Sequence, residues 1–216
     1  MDNKKYFITF EGIDGSGKDS QIHKLGELIK EDENGFYGDK YSNIWITREP
    51  TKITPSGKEI SRLLRTSKIS KEDASRLFVQ DRVEHTNLIR DFLNHSDVLC
   101  SRYDLSTLTY QYSQGMDFDE LYSMHGYGKP DGALIPDITI LFDLTAEEAA
   151  KRTAKRDSEK EFFEELEFQQ KVRDNTYWCI NRLRQYDGRR IIVINADQSI
   201  EDVTKEMYQK LKPILV

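Results

Sequence analysis

Short runs of apolar residues recur along the chain at wide intervals. Four of them, at 6–10, 44–47, 138–142 and 191–194, are rich in β-branched and aromatic side chains, and a shorter fifth spans 98–100. None alternates strictly between apolar and polar residues, which is typical of strands that are buried on both faces. The pattern therefore predicts five buried strands.

Polar segments with apolar residues at helical spacing lie between these runs. The segments predicted to be helical are 17–30, 71–94, 163–186 and 199–212. Strands that alternate with helices are typical of right-handed crossovers and of a mainly parallel sheet covered on both faces. We expect residues 1–216 to form one such α/β domain. Residues 31–43 lack a regular pattern, and 113–136 are long enough to favour a functional loop with short helices.

Composition and charge narrow the function classes. Of 216 residues, 38 are acidic and 32 basic, giving a net charge of −6, and no apolar run approaches the roughly 18 residues of a spanning helix. The N-terminus has no signal-peptide pattern, so we expect a cytoplasmic location. Two cysteines cannot build a disulfide framework or a metal cage. The charge argues weakly against nucleic-acid binding but allows a local basic pocket for a phosphate ester.

The strongest motif spans residues 12–18. It fits the phosphate-loop pattern G-x-x-x-x-G-K, after a predicted strand and before a predicted helix. Its backbone N–H groups and the helix dipole would cradle an anion, and Lys18 can reach the β- and γ-phosphates of a nucleotide. The residues predicted to bind the phosphate donor here are Gly12, Gly15, Ser16, Gly17, Lys18, Asp19 and Ser20.

One position of this motif departs from the pattern. A Ser or Thr normally follows the lysine, because its hydroxyl binds Mg²⁺. This chain has Asp19 there, followed by Ser20. A carboxylate is also a good ligand for Mg²⁺. The position therefore either keeps its role with a different group or loses it.

Five segments in order resemble the thymidylate kinase family of P-loop nucleoside monophosphate kinases. They are F-E-G-I-D-G at 10–15, T-R-E-P at 47–50, L-F-V-Q-D-R at 77–82, R-Y with a later S and Y-Q within 102–111, and P-D with F-D-L within 136–144. The resemblance covers nearly the whole chain. It implies a three-layer P-loop kinase fold with a five-stranded parallel sheet and a lid, ATP and Mg²⁺ as cofactors, dTMP as acceptor, and a homodimer.

Two arginines are candidates for the acceptor phosphate. Arg48 ends the second predicted strand and Arg102 follows the strand at 98–100. In a parallel sheet both fall at the edge that carries the phosphate loop, and two guanidinium forks can hold one phosphate. The resemblance adds that Asp14 contacts the sugar 3′-hydroxyl and that Tyr110 lies against the sugar, where core packing is the alternative.

The base would be bound by side chains on two helices. Phe78 and Arg82 are four residues apart and share a helix face, which suits one stacking plane and one hydrogen-bonding fork. The resemblance assigns them to the base. Without it, a core phenylalanine and a solvated arginine would be the simpler interpretation. Thr107 and Gln111, also four apart, are candidates for the base edge or for ordinary helix-surface polarity.

A second departure concerns the metal. The family signature has Asp before the arginine of R-Y, and this chain has Ser101. We hypothesise an exchange in which Asp19 supplies the carboxylate and Ser101 the hydroxyl beside Mg²⁺. The alternative is two independent losses in an inactive homologue.

The donor nucleotide would be covered by a lid. Residues 151–173 resemble the mobile lid of such kinases, and some family members carry an arginine where this chain has Gly15. A lid cation would then join Lys18 and Arg102 in catalysis, with Arg156 as first choice and Lys160 as second, although solvated helix charges are an equal alternative. Gln198 lies in a segment resembling the loop that borders adenine, and Ser199 there is also a candidate N-cap.

The sequence thus predicts ATP-dependent phosphorylation of dTMP to dTDP by direct in-line transfer with Mg²⁺. The expected partners are small nucleotides and a second copy of the chain, not nucleic acid or membrane. Two alternatives remain: a kinase for another nucleotide or nucleoside, and a catalytically silent nucleotide-binding homologue. The second rests on Asp19, Ser101 and a lid segment with few cations.

Overall fold

The computed structural model describes residues 4–31, 44–66, 69–153 and 166–214. Within them the chain forms five strands and eight helices. In chain order these are β1 (Phe7–Glu11), α1 (Lys18–Glu31), β2 (Ile44–Arg48), α2 (Pro55–Leu64), α3 (Lys71–Leu93), β3 (Asp97–Ser101), α4 (Asp104–Ser113), α5 (Phe118–Met124), β4 (Ile138–Asp143), α6 (Ala146–Thr153), α7 (Leu166–Asp187), β5 (Ile191–Asn195) and α8 (Ile200–Leu211).

The strands form one parallel sheet in the order β2-β3-β1-β4-β5. Alternate residues of β1 face opposite sides because strand side chains alternate. Ile8 and Phe10 join a cluster that contains α1 and α8 residues, whereas Phe7 packs with Ile89 of α3. Helices therefore cover both faces, and the predicted fold class is confirmed.

All five predicted strands are present, and each predicted helix corresponds to an observed one within a few residues. The structure adds α2, α4 and α6, which the pattern did not predict. The stretch 113–136 contains the short helix α5, as expected for that loop. Residues 32–43 and 154–165, the latter within the predicted lid, lie outside the described part of the chain. Among the described residues, no helix combines the length and apolar character needed to cross a membrane.

The topology explains where a ligand would bind. β1 is central, and the chain moves from it to β2 and β3 on one side and then to β4 and β5 on the other. Such a reversal of strand order leaves a crevice at the carboxyl ends of the strands. The phosphate loop, Arg48 and Arg102 all lie at these carboxyl ends.

Candidate active site

The phosphate loop connects β1 to α1 and depends on glycines with positive φ. Gly12 and Gly15 have φ angles of 147° and 85°. A Cβ on Gly12 would lie 2.7 Å from the carbonyl oxygen of Phe142, and one on Gly15 would lie 2.7 Å from that of Ala149. Only glycine fits at either position without a shift of backbone. The loop is therefore packed against the end of β4 and against α6.

The loop presents groups that suit a polyphosphate. Lys18 is the first residue of α1 and only 4% exposed, and its Nζ lies 3.4 Å from Oδ1 of Asp14. Burial, with Arg102 nearby, lowers the pKa of the Lys18 ammonium. The buried Ser16 hydroxyl has no hydrogen-bond partner among the described residues. A helix N-terminus, a cation and a hydroxyl thus converge as a phosphate requires.

Asp14 and Arg102, which were predicted to contact the sugar and the acceptor phosphate, contact each other beside this loop. The Arg102 guanidinium donates to Oδ1 of Asp14 and, at 3.2 Å, to Oγ of Ser106. Burial opposes the charged carboxylate, yet Arg102 and Lys18 hold the pKa of Asp14 well below its usual range. Arg102 itself has a φ of 60°. Because Arg102 directly follows β3, the sharp turn between β3 and α4 brings its side chain to the phosphate loop.

Glu11 holds that turn in place and was missed by the sequence reasoning. Its buried carboxylate accepts hydrogen bonds from the backbone N of Tyr103 at 2.8 Å and from Oγ of Ser106 at 2.6 Å. Burial raises the pKa of Glu11. Glu11 directly precedes the phosphate-loop motif in the sequence, but its hydrogen-bond partners lie more than 90 residues away.

The two departures from the family pattern are in direct contact. Oγ of Ser101 donates a hydrogen bond to Oδ1 of Asp19. Although desolvation opposes it, the pKa of Asp19 is lowered by Lys18 and by the Ser101 bond. The two side chains are close enough to bind one ion, which the exchange hypothesis requires, and a carboxylate with a hydroxyl is a donor set that suits Mg²⁺. Exposed Arg48 pairs with Ser101 in the β2–β3 register.

On the base side, the environment of Arg82 differs from the simpler interpretation. Arg82 is 1% exposed and is not a solvated charge. Its Nη2 donates to Glu49 at 2.6 Å and to Thr107 at 3.1 Å, and its Nη1 lies 2.8 Å from Nε2 of His125. Nε of Arg82 has no partner among the described residues. Phe78, one turn earlier on α3, is half-buried.

Gln111 lies on α4, one turn after Thr107, and its amide is also unpaired. The residue is fully buried, and neither its Oε1 nor its Nε2 has a hydrogen-bond partner among the described residues. Buried polar groups are nearly always paired. Because Thr107 bonds Arg82, the free Gln111 amide and the free Arg82 Nε–H lie on facing helices near each other. The buried contact region between α3 and α4 therefore has unmet hydrogen-bonding capacity.

Tyr110 lies between the Asp14–Arg102 pair, where the sugar is predicted to bind, and helix α7. The Arg102 guanidinium lies 5.6 Å from the centre of the Tyr110 ring, and the Tyr110 hydroxyl donates to Oε1 of Gln169 at 3.3 Å. Burial raises the pKa of Tyr110 to about 12. The phenol is therefore a neutral group at the edge of the Asp14–Arg102 pair.

The structure describes part of the region that is predicted to bind ATP. Arg156 and Lys160 lie outside the described residues, so the lid cations stay predictions. Arg152, in the part of the predicted lid segment that forms α6, donates to the backbone oxygen of Ala196 at 3.0 Å and links α6 to the loop after β5. Gln198 in that loop is exposed and donates to Glu206 at 2.8 Å. Ser199 is the N-cap of α8.

Glu49 and His125 are further residues that the sequence reasoning missed. Glu49 had a signal, because it stands beside Arg48 in T-R-E-P, but its side chain bonds Arg82 and His85 in the interior. His125 had none, since it ends a short helix within a glycine-rich stretch. Only the tertiary packing of α3 against α5 places it on Arg82.

The chain is similar to known proteins over most of its length. The family model described as thymidylate kinase matches residues 10–207. A probable thymidylate kinase of Methanococcus maripaludis strain S2 is 41% identical over 81% of this chain and 77% of its own length. One of Methanococcus aeolicus is 38% identical over 95% of each chain. One of Pyrococcus horikoshii is 35% identical over 96% of each chain.

Proposed function

The chain belongs to the thymidylate kinase family, and from this membership we propose that it transfers the γ-phosphoryl group of ATP to the phosphate of dTMP. The bond from the γ-phosphorus to the bridging oxygen breaks as a bond to an acceptor phosphate oxygen forms, giving ADP and dTDP. The family resemblance predicted from the sequence is confirmed. Substrate and residue roles are proposals, supported as follows.

The unpaired amide of Gln111 is the observation that carries the choice of base. An amide offers one acceptor and two donors, which match the N3–H and a keto oxygen of thymine or uracil. The free Nε–H of Arg82 adds a donor for the O4 acceptor. Cytosine has an amino donor where thymine has O4, so it would place two donors face to face. Half-buried Phe78 supplies an apolar surface beside this edge.

The phosphate side requires positioning and charge more than proton transfer. The acceptor phosphate is already an oxyanion, so no general base is needed. Arg102 and Arg48 would hold it, while Lys18 would stabilise charge on the migrating group. Asp14, kept ionised by Arg102 and Lys18, would accept a hydrogen bond from the sugar 3′-hydroxyl. Mg²⁺, which Asp19 and Ser101 would hold, neutralises charge on the phosphate oxygens when it is bound.

The remaining proposals concern the lid, the assembly and the location of the chain. Arg156 and Lys160 are proposed as lid cations, and Arg152, which contacts Ala196 and Asp197, as a further cation on the predicted adenine loop. A homodimer and a cytoplasmic location stay predictions. Light scattering of the purified chain would test the dimer.

A coupled ADP-release assay tests the activity. We expect turnover with ATP, Mg²⁺ and dTMP, less with dUMP, a much lower but measurable kcat/KM with dCMP, and none above background with AMP. Turnover of another monophosphate instead would favour the alternative kinase, and tight ATP binding without turnover would favour a silent homologue. Gln111→Leu should raise KM for dTMP roughly 10-fold or more, because it removes the hydrogen bonds that the buried amide is proposed to make to the base. Exposed Gln80→Leu is a matched control on α3.

A further inference from the structure

The hydrogen bonds of His125 determine its protonation state. Its Nδ1 lies 2.7 Å from the backbone oxygen of Leu121, which can only accept, so Nδ1 carries a proton. Its Nε2 lies 2.8 Å from Nη1 of Arg82, which can only donate. Nε2 is therefore an acceptor, and the ring is the neutral Nδ1–H tautomer. Burial, with the nearby Arg82 charge, lowers the pKa of His125 to about 3, in agreement with this geometry.

The ring of His125 is held from behind by buried groups. It stacks on Tyr127 with ring centres 5.1 Å apart and planes 4° apart. The Tyr127 hydroxyl donates to Asp104, which also pairs with Arg189, and both charges of that pair are fully buried. These contacts fix the imidazole, so the acceptor atom cannot move away from Arg82.

The opposite side of the guanidinium is fixed as well. Nη2 of Arg82 donates to Glu49, whose second oxygen lies 3.0 Å from Nδ1 of His85. The guanidinium carbon lies 4.9 Å from the centre of the Tyr103 ring. Both terminal nitrogens are thus engaged by the protein, and Nε–H remains for a ligand.

We propose that His125 is a positioning residue that determines base specificity by holding Arg82 in one rotational state. As the acceptor for Nη1, it prevents the guanidinium from turning and so keeps Nε–H toward the keto oxygen of the base. The inference rests on the proposed function. Without this acceptor the guanidinium would be held through Nη2 alone, by Glu49 and Thr107, and a turn about those contacts would change the direction of Nε–H. Discrimination between keto and amino pyrimidines would then fall.

Two substitutions separate the acceptor from the packing. His125→Leu keeps a buried apolar side chain but removes the acceptor, whereas His125→Gln keeps an acceptor in Oε1. We expect His125→Leu to raise KM for dTMP roughly 10-fold with a smaller change in kcat, and to lower the ratio of kcat/KM for dTMP over dCMP by a similar factor. KM for ATP should be unchanged. His125→Gln should recover most of the loss, and exposed His95→Leu should have no effect.

The outcomes separate this inference from the proposed function. Wild-type protein without dTMP turnover would refute the function. An active wild type whose His125→Leu variant keeps the dTMP preference, or whose His125→Gln variant loses as much, would refute the positioning role. If His125→Leu does not fold, ¹⁵N spectra of the wild-type imidazole decide. We expect a neutral Nδ1–H ring from pH 5 to 8, and an Nε2–H or charged ring would overturn the proposal.

Discussion

Exchanging Asp19 and Ser101 tests whether the chain keeps its metal site in altered form. The set comprises Asp19→Ser, Ser101→Asp and the double variant. The double variant restores the family arrangement, with a hydroxyl after the lysine and a carboxylate before Arg102. Because the two side chains are in contact, the exchange moves one carboxylate and one hydroxyl by little more than a hydrogen bond.

The expected magnitudes follow from that contact. Asp19→Ser leaves two hydroxyls and no carboxylate, and the loss of a hydrogen-bonding charged partner costs about 1.5–3 kcal/mol. This corresponds to roughly 10- to 150-fold weaker apparent Mg²⁺ affinity. Ser101→Asp places two carboxylates side by side, and their repulsion at an effective dielectric constant of 20 is at most about 4 kcal/mol. Exposure of Asp19 and the nearby Lys18 reduce that figure. The double variant should return to within about threefold of wild type, since contacting residues are not additive.

The assay is a Mg²⁺ titration of ADP release at saturating ATP and dTMP. Calorimetric measurement of Mg²⁺-dependent ATP binding compares the Mg²⁺ affinity of the same variants without requiring turnover. Thermal unfolding without Mg²⁺ measures the repulsion in Ser101→Asp, which should be relieved in the double variant. An unchanged Mg²⁺ dependence in Asp19→Ser, or a double variant as poor as the worse single one, would refute the exchange.

Three further predictions concern stability. Asp104→Asn should lower the free energy of unfolding by about 2 kcal/mol in urea, because it removes one of the two carboxylates that pair with buried Arg189 and leaves only Asp187; a loss under about 0.5 kcal/mol would show that the Asp104 charge contributes little. Gly15→Ala should cost about 1–2 kcal/mol more than Gly188→Ala, since both have positive φ but only Gly15 faces backbone at 2.7 Å; equal losses would contradict the clash. His125, with a pKa of about 3 when folded, binds a proton on unfolding below pH 6.5, so stability should fall by about 2 kcal/mol from pH 7 to 5. His125→Gln should remove that slope, and equal slopes would argue against a buried neutral ring.

Two of the helices that the pattern missed have sequences that hide a helix, for different physical reasons. Most residues of α4, including Leu105, Thr107 and Gln111, are buried, and a helix buried on several sides shows no apolar stripe. α2 contains a proline and a glycine near its start, and this combination predicts a turn rather than a helix. Longer helices such as α3 keep one solvated face, and their periodicity predicted them correctly.

The base site shows the same limit at the level of side chains. The spacing of Phe78 and Arg82 placed them on one face of a helix, which α3 bears out. It did not distinguish a solvated arginine from a buried one. That difference depends on Glu49 and His125, which are 33 and 43 residues distant in the chain.

By itself, the sequence determined the parallel α/β fold, the phosphate loop and the family, because each depends on neighbouring residues in a fixed order. A glycine-rich turn between a strand and a helix binds phosphate through its own backbone. Only the tertiary structure decided that Asp19 contacts Ser101, that Arg82 is buried, and that His125 holds it. Those contacts join separate elements, and hydrogen-bond partners in a packed interior are chosen by distance in space rather than by position in the chain.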